Sequence, residues 1–239
     1  MNTTPTATLK CLVNYFYDLQ RLRIATVNRI VRAIEYDDAV LSDKQREWFQ
    51  LEGDLLKKRE HAALLEVKRE GRKHPIWPWL ESVKGCGPTM SGVIISEFCI
   101  HDTREVLNKE TGELETRKGA PRPSCFWSYA GLAVDEGAAP KPKKGEKLRY
   151  NKWLRTKLVG VLGTSFLKCG SPYRAIYDGY KDRLKAKEWG KSDGHRHNAA
   201  IRYMVKMFLL DLWKAWREVE NLPIVAPYHE AKLGLKHSA

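Results

Sequence analysis

The sequence lacks paired cysteines, a long apolar run and an acidic excess, and each absence argues against a class of protein. Its five cysteines, at positions 11, 86, 99, 125 and 169, form no CxxC pair, so neither a zinc site nor a disulfide framework is indicated. No stretch of about 18 apolar residues occurs, which argues against a membrane span. The start, MNTTPTATLKCLVNYF, does not resemble a signal peptide, and we expect a cytoplasmic protein with reduced thiols.

Positive charge is what the sequence has in excess. Its 239 residues include 42 lysines and arginines against 29 aspartates and glutamates, a formal net charge of +13. Such an excess favours a polyanionic partner, with nucleic acid ahead of an anionic membrane. The hydrophobic fraction of 43% is large enough to build the core of one large domain or two small ones.

Apolar residues recur at helical spacing along most of the chain. Residues 8–36 and 42–71 each show this pattern, and Ser42 with Gln45 forms a capping box at the start of the second helix. We therefore predict a long antiparallel helical hairpin over residues 1–74, which packs on its own domain or dimerises as a coiled coil. Residues 75–220 are predicted to form a second helical domain, and residues 221–239 a loosely held tail.

Three short non-helical segments are predicted between the helices of the second domain. Residues 104–119 predict a small β-hairpin around NKETG, in which Gly112 is free to take a positive φ. Residues 134–147 have several helix breakers and no periodicity, so an exposed loop is expected. Gly170 is predicted to end one helix and Ser171 to cap the next. The expected fold class is mainly α.

The stretch SVKGCGPTMSGVII, residues 82–95, predicts a phosphate-binding turn. A tight Gly-x-Gly turn, Gly85 to Gly87, precedes a helix whose first amides have no partners within the helix. The helix dipole adds partial positive charge at the same end, which suits an anion. Pro88 fits the first helical turn, where its missing N–H costs little. A plain tight turn is the alternative interpretation.

The same residues resemble a helix-hairpin-helix motif, in which an apolar residue, a spacer, Gly, an apolar residue and Gly are followed by a small residue. Proteins with this motif bind the DNA backbone without reading base sequence. The resemblance therefore implies nucleic-acid contact by Lys84, Gly85, Gly87 and Thr89. A dinucleotide-binding fingerprint is disfavoured, because the third glycine is missing and no strand is predicted before the turn.

A second basic segment lies in and after the exposed loop. Between residues 141 and 157 the only acidic residue is Glu146. Phosphate binding by this loop and the following helix start is our preferred interpretation, although a solvated charged face is the alternative. The predicted nucleic-acid-binding residues here are Lys141, Lys143, Lys144, Lys147, Arg149, Lys152 and Arg155.

The order of these motifs resembles the C-terminal transposase domain of the bridge-RNA-guided insertion-sequence transposases, the DEDD-type recombinases. The segments that carry the resemblance are VKGCGPTMSGVIISEF, FWSYAGLAVDEG, LRTKLVGVLGTSF and SPYRAIYDGYKDRL, within residues 75–217. The preceding helices resemble the coiled coil that leads into that domain. The resemblance implies a mobile-element or phage protein that acts in DNA recombination, with DNA or structured RNA as its partner.

Two family features are missing from this sequence. Family members carry a RuvC-like domain with four acidic residues, whereas residues 1–75 are predicted to be helical. They also place a nucleophilic serine in the basic loop, but the matching position falls near Ala139, and residues 134–155 contain no serine. Without that hydroxyl no covalent phosphoserine step is available, so we assign no catalytic residue.

Other catalytic or metal-binding groups are weakly indicated. His195, His197 and Asp193 are candidate metal ligands, but an exposed helix start is the favoured interpretation of these residues. Neither a metal nor a cofactor is therefore expected. Tyr150, among basic neighbours, is the one hydroxyl of the loop.

Three interpretations of the function stay open. The first is a non-enzymatic nucleic-acid-binding protein derived from a transposase domain, with a monomer and a homo-oligomer both left open. The second is a recombinase subunit whose catalytic groups come from a RuvC-like partner chain. The third is a basic helical scaffold of a mobile element or phage.

Overall fold

The structure, a computed structural model, describes residues 5–35, 41–107, 112–134, 140, 144–145, 148–190 and 192–225. Within these ranges the helices are α1 (Pro5–Glu35), α2 (Asp43–Gly71), α3 (Trp77–Ser82), α4 (Pro88–Glu97), α5 (Pro123–Tyr129), α6 (Lys152–Thr156), α7 (Gly163–Cys169), α8 (Tyr173–Ala186) and α9 (Asp193–Val219). A π-helical turn, Lys157–Leu162, joins α6 to α7. The mainly α fold class is confirmed. None of the helices described is both long and apolar enough to cross a lipid bilayer.

The chain divides into two compact units. The first comprises residues 1–74 with 92–96, and the second comprises residues 75–91 with 97–239. Residues 92–96 group with the first unit because Gly92 packs tightly between Val67 and Val13. Only glycine fits at this position, since a Cβ there would lie 2.7 Å from Val67 Cγ1.

The first unit is built on an antiparallel pair of helices. Phe16 and Leu19 of α1 pack against Leu56 and Ala63 of α2. Polar contacts follow the same seam, because Gln20 and Arg23 both donate hydrogen bonds to the Glu60 carboxylate. The capping box predicted at the start of α2 is confirmed, with Ser42 and Gln45 exchanging both hydrogen bonds.

The second unit is centred on α9. This helix buries a continuous apolar face that includes Phe208 and Trp213, and α5 packs against it through Phe126 and Trp127. Trp213 Nε1 donates a 2.9 Å hydrogen bond to the Ala120 carbonyl, so even the polar edge of this buried ring is paired.

A small antiparallel strand pair extends from this unit. Strand β1 (Thr103–Leu107) pairs with β2 (Leu114–Lys118), and the register runs from Thr103 opposite Lys118 to Leu107 opposite Leu114. The connection at 108–111 lies outside the described residues. Gly112 has a φ of 73°, so its predicted left-handed conformation is confirmed.

The helix that runs from α6 through the π turn to α7 has an unusual burial pattern. Leu154, Leu158, Leu162 and Phe166 are all fully buried at a constant spacing of four residues. In a regular α-helix of about 3.6 residues per turn, this stripe would rotate away from the core. The wider π turn keeps the four side chains on one face, so the insertion serves the packing of this segment.

The junction before α8 agrees with the prediction in one respect and corrects it in another. Gly170 ends the helix in the left-handed conformation, with φ 63°, as predicted. Ser171 does not cap α8, because the N-cap position falls on Pro172, which has no side-chain cap. Ser171 is buried, and its hydroxyl has no hydrogen-bond partner among the described residues. Its carbonyl closes the turn by accepting the Arg174 N–H.

Candidate nucleic-acid interface

The Gly-rich stretch forms a tight turn between two helices. Helix α3 ends at Ser82, and the Cys86 N–H donates to the Val83 carbonyl at 2.9 Å. Gly85 takes a φ of 98°, a conformation that residues with a Cβ rarely adopt. Helix α4 then begins at Pro88. The arrangement is a helix, a hairpin turn and a second helix within residues 77–97.

Gly85 faces the protein interior. A Cβ built on it would lie 2.7 Å from Cys169 Sγ and 2.9 Å from the Phe166 ring. Its carbonyl accepts a 2.8 Å hydrogen bond from the Ser165 hydroxyl. The absence of a side chain therefore lets the turn rest directly on α7, and Gly85 fixes the position of the turn.

Gly87 faces outward. It is exposed, and among the described residues no atom outside its chain neighbours lies within 4 Å of a Cβ built on it. Its carbonyl accepts the Ser91 N–H at 3.0 Å, which is the first hydrogen bond of α4. The amide of Thr89 precedes that bond and so has no partner within the helix. With the exposed Lys84 nearby in sequence, this end of α4 presents donor groups and positive charge to solvent.

The basic segment is only partly described. Lys141, Lys143 and Lys147 lie outside the described residues, so their predicted role stays a prediction. Four members are described: Lys144, Arg149 and Lys152 are exposed, and Arg155 is half-buried. Among the residues that the structure describes, none of these four forms an ion pair with a carboxylate.

A polar network holds the start of this basic helix in place. Asn151 Oδ1 accepts the Leu154 N–H at 3.0 Å and so caps α6. Its amide Nδ2 donates to Glu97 at 2.7 Å, and the Tyr129 hydroxyl donates to the same carboxylate at 3.2 Å. Because Glu97 is buried, these hydrogen bonds compensate for the desolvation of its carboxylate. Lys152 and Arg155 therefore project from a fixed helix start.

Arg155 is fixed more firmly than its exposed neighbours. Its guanidinium donates to the Pro140 carbonyl at 2.9 Å and lies 5.3 Å from the centre of the Tyr150 ring. That ring lies directly over Gly131, where a Cβ would approach within 2.4 Å of it. Gly131 of the AGLA turn (residues 130–133) and Tyr150 of the basic segment, which are 19 residues apart in sequence, are thus packed together.

One helix connects the two predicted binding elements. Gly85 contacts Ser165, Phe166 and Cys169 near the end of the helix, whereas Lys152 and Arg155 lie at its start. At about 1.5 Å of rise per residue, these places are separated by roughly 15–20 Å along the helix. They are therefore separate points on one rigid element, and each would meet a different part of an extended ligand.

Sequence reasoning missed two basic residues on α9. Lys206 Nζ lies 4.6 Å from the centre of the Trp127 ring, and burial lowers the pKa of this lysine. Burial also lowers the pKa of Arg202, and the nearby charge of Arg155 lowers it further. The available signal was a pair of cations four residues apart in a mostly apolar helix, but only the fold shows that Arg202 lies near Arg155 of α6 and that Lys206 lies against Trp127 of α5.

The histidines considered for a metal site have other roles. His197 Nδ1 lies 2.6 Å from the Tyr177 hydroxyl, which ties α8 to α9, whereas His195 is exposed. Asp193 pairs with Lys181 at 3.0 Å. Among the described residues, no group of three or more His, Cys, Asp or Glu side chains is placed to hold a metal ion.

Comparison with known proteins identifies no relative whose functional residues could be aligned with these sites. No protein-family model, no curated protein and no solved structure matches the chain. The function is therefore inferred from the residues and their geometry.

Proposed function

We propose that this protein binds the sugar-phosphate backbone of DNA through residues 84–89 and 141–155, without catalysis of its own. The observation that carries the proposal is the absence of carboxylate partners for the described cations of the basic segment. Among the described residues, Lys144, Arg149, Lys152 and Arg155 form no ion pair with a carboxylate, whereas Lys181 of the same unit pairs with Asp193 at 3.0 Å. Cations without protein counter-charges are available to replace the counterions of a phosphate backbone.

The turn at residues 84–89 supplies a second kind of contact. Backbone amides at a helix start bind a phosphate oxygen without reading the base. This turn packs against the end of the helix whose start carries Lys152 and Arg155. A duplex or a folded strand that spans roughly 15–20 Å can therefore engage both. The proposal therefore favours backbone recognition with little sequence preference, and structured RNA is a second ligand of the same chemistry.

The relation to a transposase domain is part of the proposal. It is supported by the order along the sequence of the hairpin turn, the AGLA turn, the basic segment and the segment that forms α8. The free thiols of all five cysteines agree with a cytoplasmic location. A homo-oligomer is compatible with this proposal and with its alternative. A RuvC-like partner that supplies catalytic groups belongs to the alternative, in which the chain is a recombinase subunit.

The test is a binding titration with labelled duplex, branched DNA and an RNA hairpin at several salt concentrations. With on the order of five phosphate contacts, affinity should fall by about two to three decades between 50 and 200 mM salt. Affinity that is unchanged across this range, or no binding to any of the three ligands near neutral pH, would contradict the proposal.

A second experiment separates binding from catalysis. Supercoiled plasmid and branched oligonucleotides are incubated with the protein and magnesium or manganese, then resolved on denaturing gels. We expect intact strands, because the described residues offer no metal cluster and the loop has no serine. Nicking, or a covalent adduct that Tyr150→Phe abolishes, would instead support the recombinase alternative.

A further inference from the structure

Two cations of α9 lie on one side of the helix and are partly withdrawn from solvent. Arg202 and Lys206 are four residues apart, so their side chains are neighbours on the helix surface. Lys206 is held against the face of Trp127, whose ring is only 6% exposed and whose Nε1 donates to the Lys206 carbonyl at 3.0 Å. The ammonium group therefore has an apolar wall on one side.

A third cation approaches from the neighbouring helix. Arg155 of α6 lies near enough to Arg202 for the two positive charges to repel each other. Arg155 cannot swing freely away, because Pro140 and Tyr150 hold its guanidinium. We call Arg155, Arg202 and Lys206 the cation cluster.

The cation cluster is uncompensated within the described residues. None of its three members forms an ion pair with a carboxylate in that part of the chain. Withdrawal of a positive charge from water costs free energy unless an opposite charge replaces the solvent. Elsewhere in the same unit a carboxylate compensates for the burial of a cation, since the buried Arg217 pairs with Asp102 at 3.0 Å.

We propose that the cation cluster binds one phosphate group, and that in the complex this group belongs to the nucleic-acid backbone. This inference rests on the proposed function only for the source of the phosphate. Two guanidinium groups present paired N–H donors that match the oxygens of a tetrahedral oxyanion, and the ammonium adds a third charge. The exposed Lys144 and Lys152 would then guide the strand, while the cation cluster fixes its position.

The test uses the full chain and the double variant Arg202→Met/Lys206→Met, which keeps the aliphatic volume and removes both charges. Its matched control is Lys185→Met/Lys187→Met, which removes two exposed cations from the end of α8. Thermal unfolding is recorded in sodium chloride and in sodium phosphate at equal ionic strength. DNA affinity and its salt dependence are measured for the same proteins.

We expect phosphate to raise the Tm of the wild-type chain and of the control by about 2 °C or more, and to leave the double variant unchanged. In chloride the double variant should melt at or above the wild-type temperature, since its uncompensated charges are gone. Its DNA affinity should fall about tenfold or more, with a salt slope smaller by about one.

Two results would overturn the inference. One is an equal phosphate shift in the double variant and the wild type. The other is a double variant that melts below the wild type in chloride, because the cations would then stabilise the fold through contacts of their own. Arg202→Lys, which keeps the charge, should retain part of the phosphate shift, and its complete loss would also contradict the proposal.

The same measurements show separately whether the cation cluster binds phosphate and whether the protein binds nucleic acid. If the wild type binds no nucleic acid but shows a phosphate shift that the double variant lacks, the backbone proposal fails and the cluster is a site for a smaller phosphorylated ligand. If DNA binds both proteins with equal affinity and phosphate shifts both equally, the cluster is excluded and the backbone proposal stands.

Discussion

The two units of the molecule use basic side chains in different ways. In the helical hairpin, Arg23 pairs with Glu60 and Arg69 pairs with Glu66. In the second unit, Arg155 and Lys206 lie against aromatic rings. A carboxylate neutralises a cation, whereas a ring positions it and leaves its charge available. Other cations of the second unit are paired, as Arg217 is with Asp102, so the contrast concerns Arg155 and Lys206, whose charges are left available for the proposed ligand.

Charge counts follow the same division. Residues 1–74 contain 14 basic and 11 acidic residues, whereas residues 75–239 contain 28 basic and 18 acidic residues. Most of the net positive charge therefore belongs to the second part of the chain. Pairing matters as much as number, because the ion pairs described in the second unit, such as that of Lys181 with Asp193, include none of Lys144, Arg149, Lys152 and Arg155.

The largest effect should come from removing charge in the second unit. The triple variant Arg149→Gln/Lys152→Gln/Arg155→Gln should weaken DNA binding by about two to three decades near 0.1 M salt, if each cation releases about one counterion. The matched control removes three exposed cations from α2 (Lys57→Gln/Lys58→Gln/Arg59→Gln) and should change affinity little. Equal losses in both variants, measured by anisotropy titration, would show that overall charge alone determines binding.

The second prediction compares two glycines, one from each unit. Gly85→Ala should destabilise the fold by about 2–4 kcal/mol, because it combines an unfavourable φ with a clash against Cys169 and Phe166. Gly53→Ala should stabilise it by about 0.5–1 kcal/mol, since Gly53 lies within α2 and no described atom outside its own helix is within 4 Å of an added Cβ. Chemical denaturation measures both, and a neutral Gly85→Ala would contradict the packing role.

The third prediction concerns the outward glycine of the same turn. Gly87→Val should weaken DNA binding by roughly 1–3 kcal/mol, because its side chain would keep a phosphate away from the amides of α4. Stability should change little, since the space around an added Cβ is open in the described structure. Circular dichroism and a titration of the same preparation provide the measurement. Unchanged affinity in a folded variant would mean that the turn does not touch the ligand.

Helices and their boundaries followed largely from the sequence. The capping box at Ser42, the left-handed Gly112 and the helix end at Gly170 were predictable because each depends on one or two neighbouring residues. The failure at Ser171 arose from tertiary packing, which buries a side chain that local rules would place at a cap. The π turn was also not predictable, since an unbroken spacing of four residues resembles an ordinary helix.

The candidate site was less predictable than the fold. From the sequence, both glycines of the turn were predicted to contact phosphate. In the structure Gly85 contacts α7, whereas Gly87 faces solvent. Arg202 joined the site only through its approach to Arg155 of α6, and Lys206 only through its contact with Trp127 of α5. Contacts between residues distant in sequence decide which cations are left without partners, and no local pattern carries that information.

The smallest expected effect is that of Glu60→Gln, which tests the paired cation Arg23 of the hairpin. Glu60 is partly buried, and burial raises the pKa of its carboxyl, but hydrogen bonds from Arg23 and Gln20 outweigh this and lower the pKa overall. Glu60→Gln should therefore destabilise the hairpin at neutral pH by about 1 kcal/mol, since it leaves the Arg23 charge without its partner.

The sign of the pH dependence follows from the same carboxyl. A group whose pKa is lower in the folded than in the unfolded chain contributes stability above the ordinary value of 4.5, and that contribution is lost as the pH falls through the folded-state pKa. Denaturation midpoints of wild type and Glu60→Gln should therefore differ at pH 7 and converge below about pH 4. The same measurement on Arg155→Gln should show no such convergence, because Arg155 has no carboxylate partner among the described residues. If Arg155→Gln converged with wild type in acid as Glu60→Gln does, Arg155 would also be paired with a carboxylate, and its contrast with Arg23 of the hairpin would be lost.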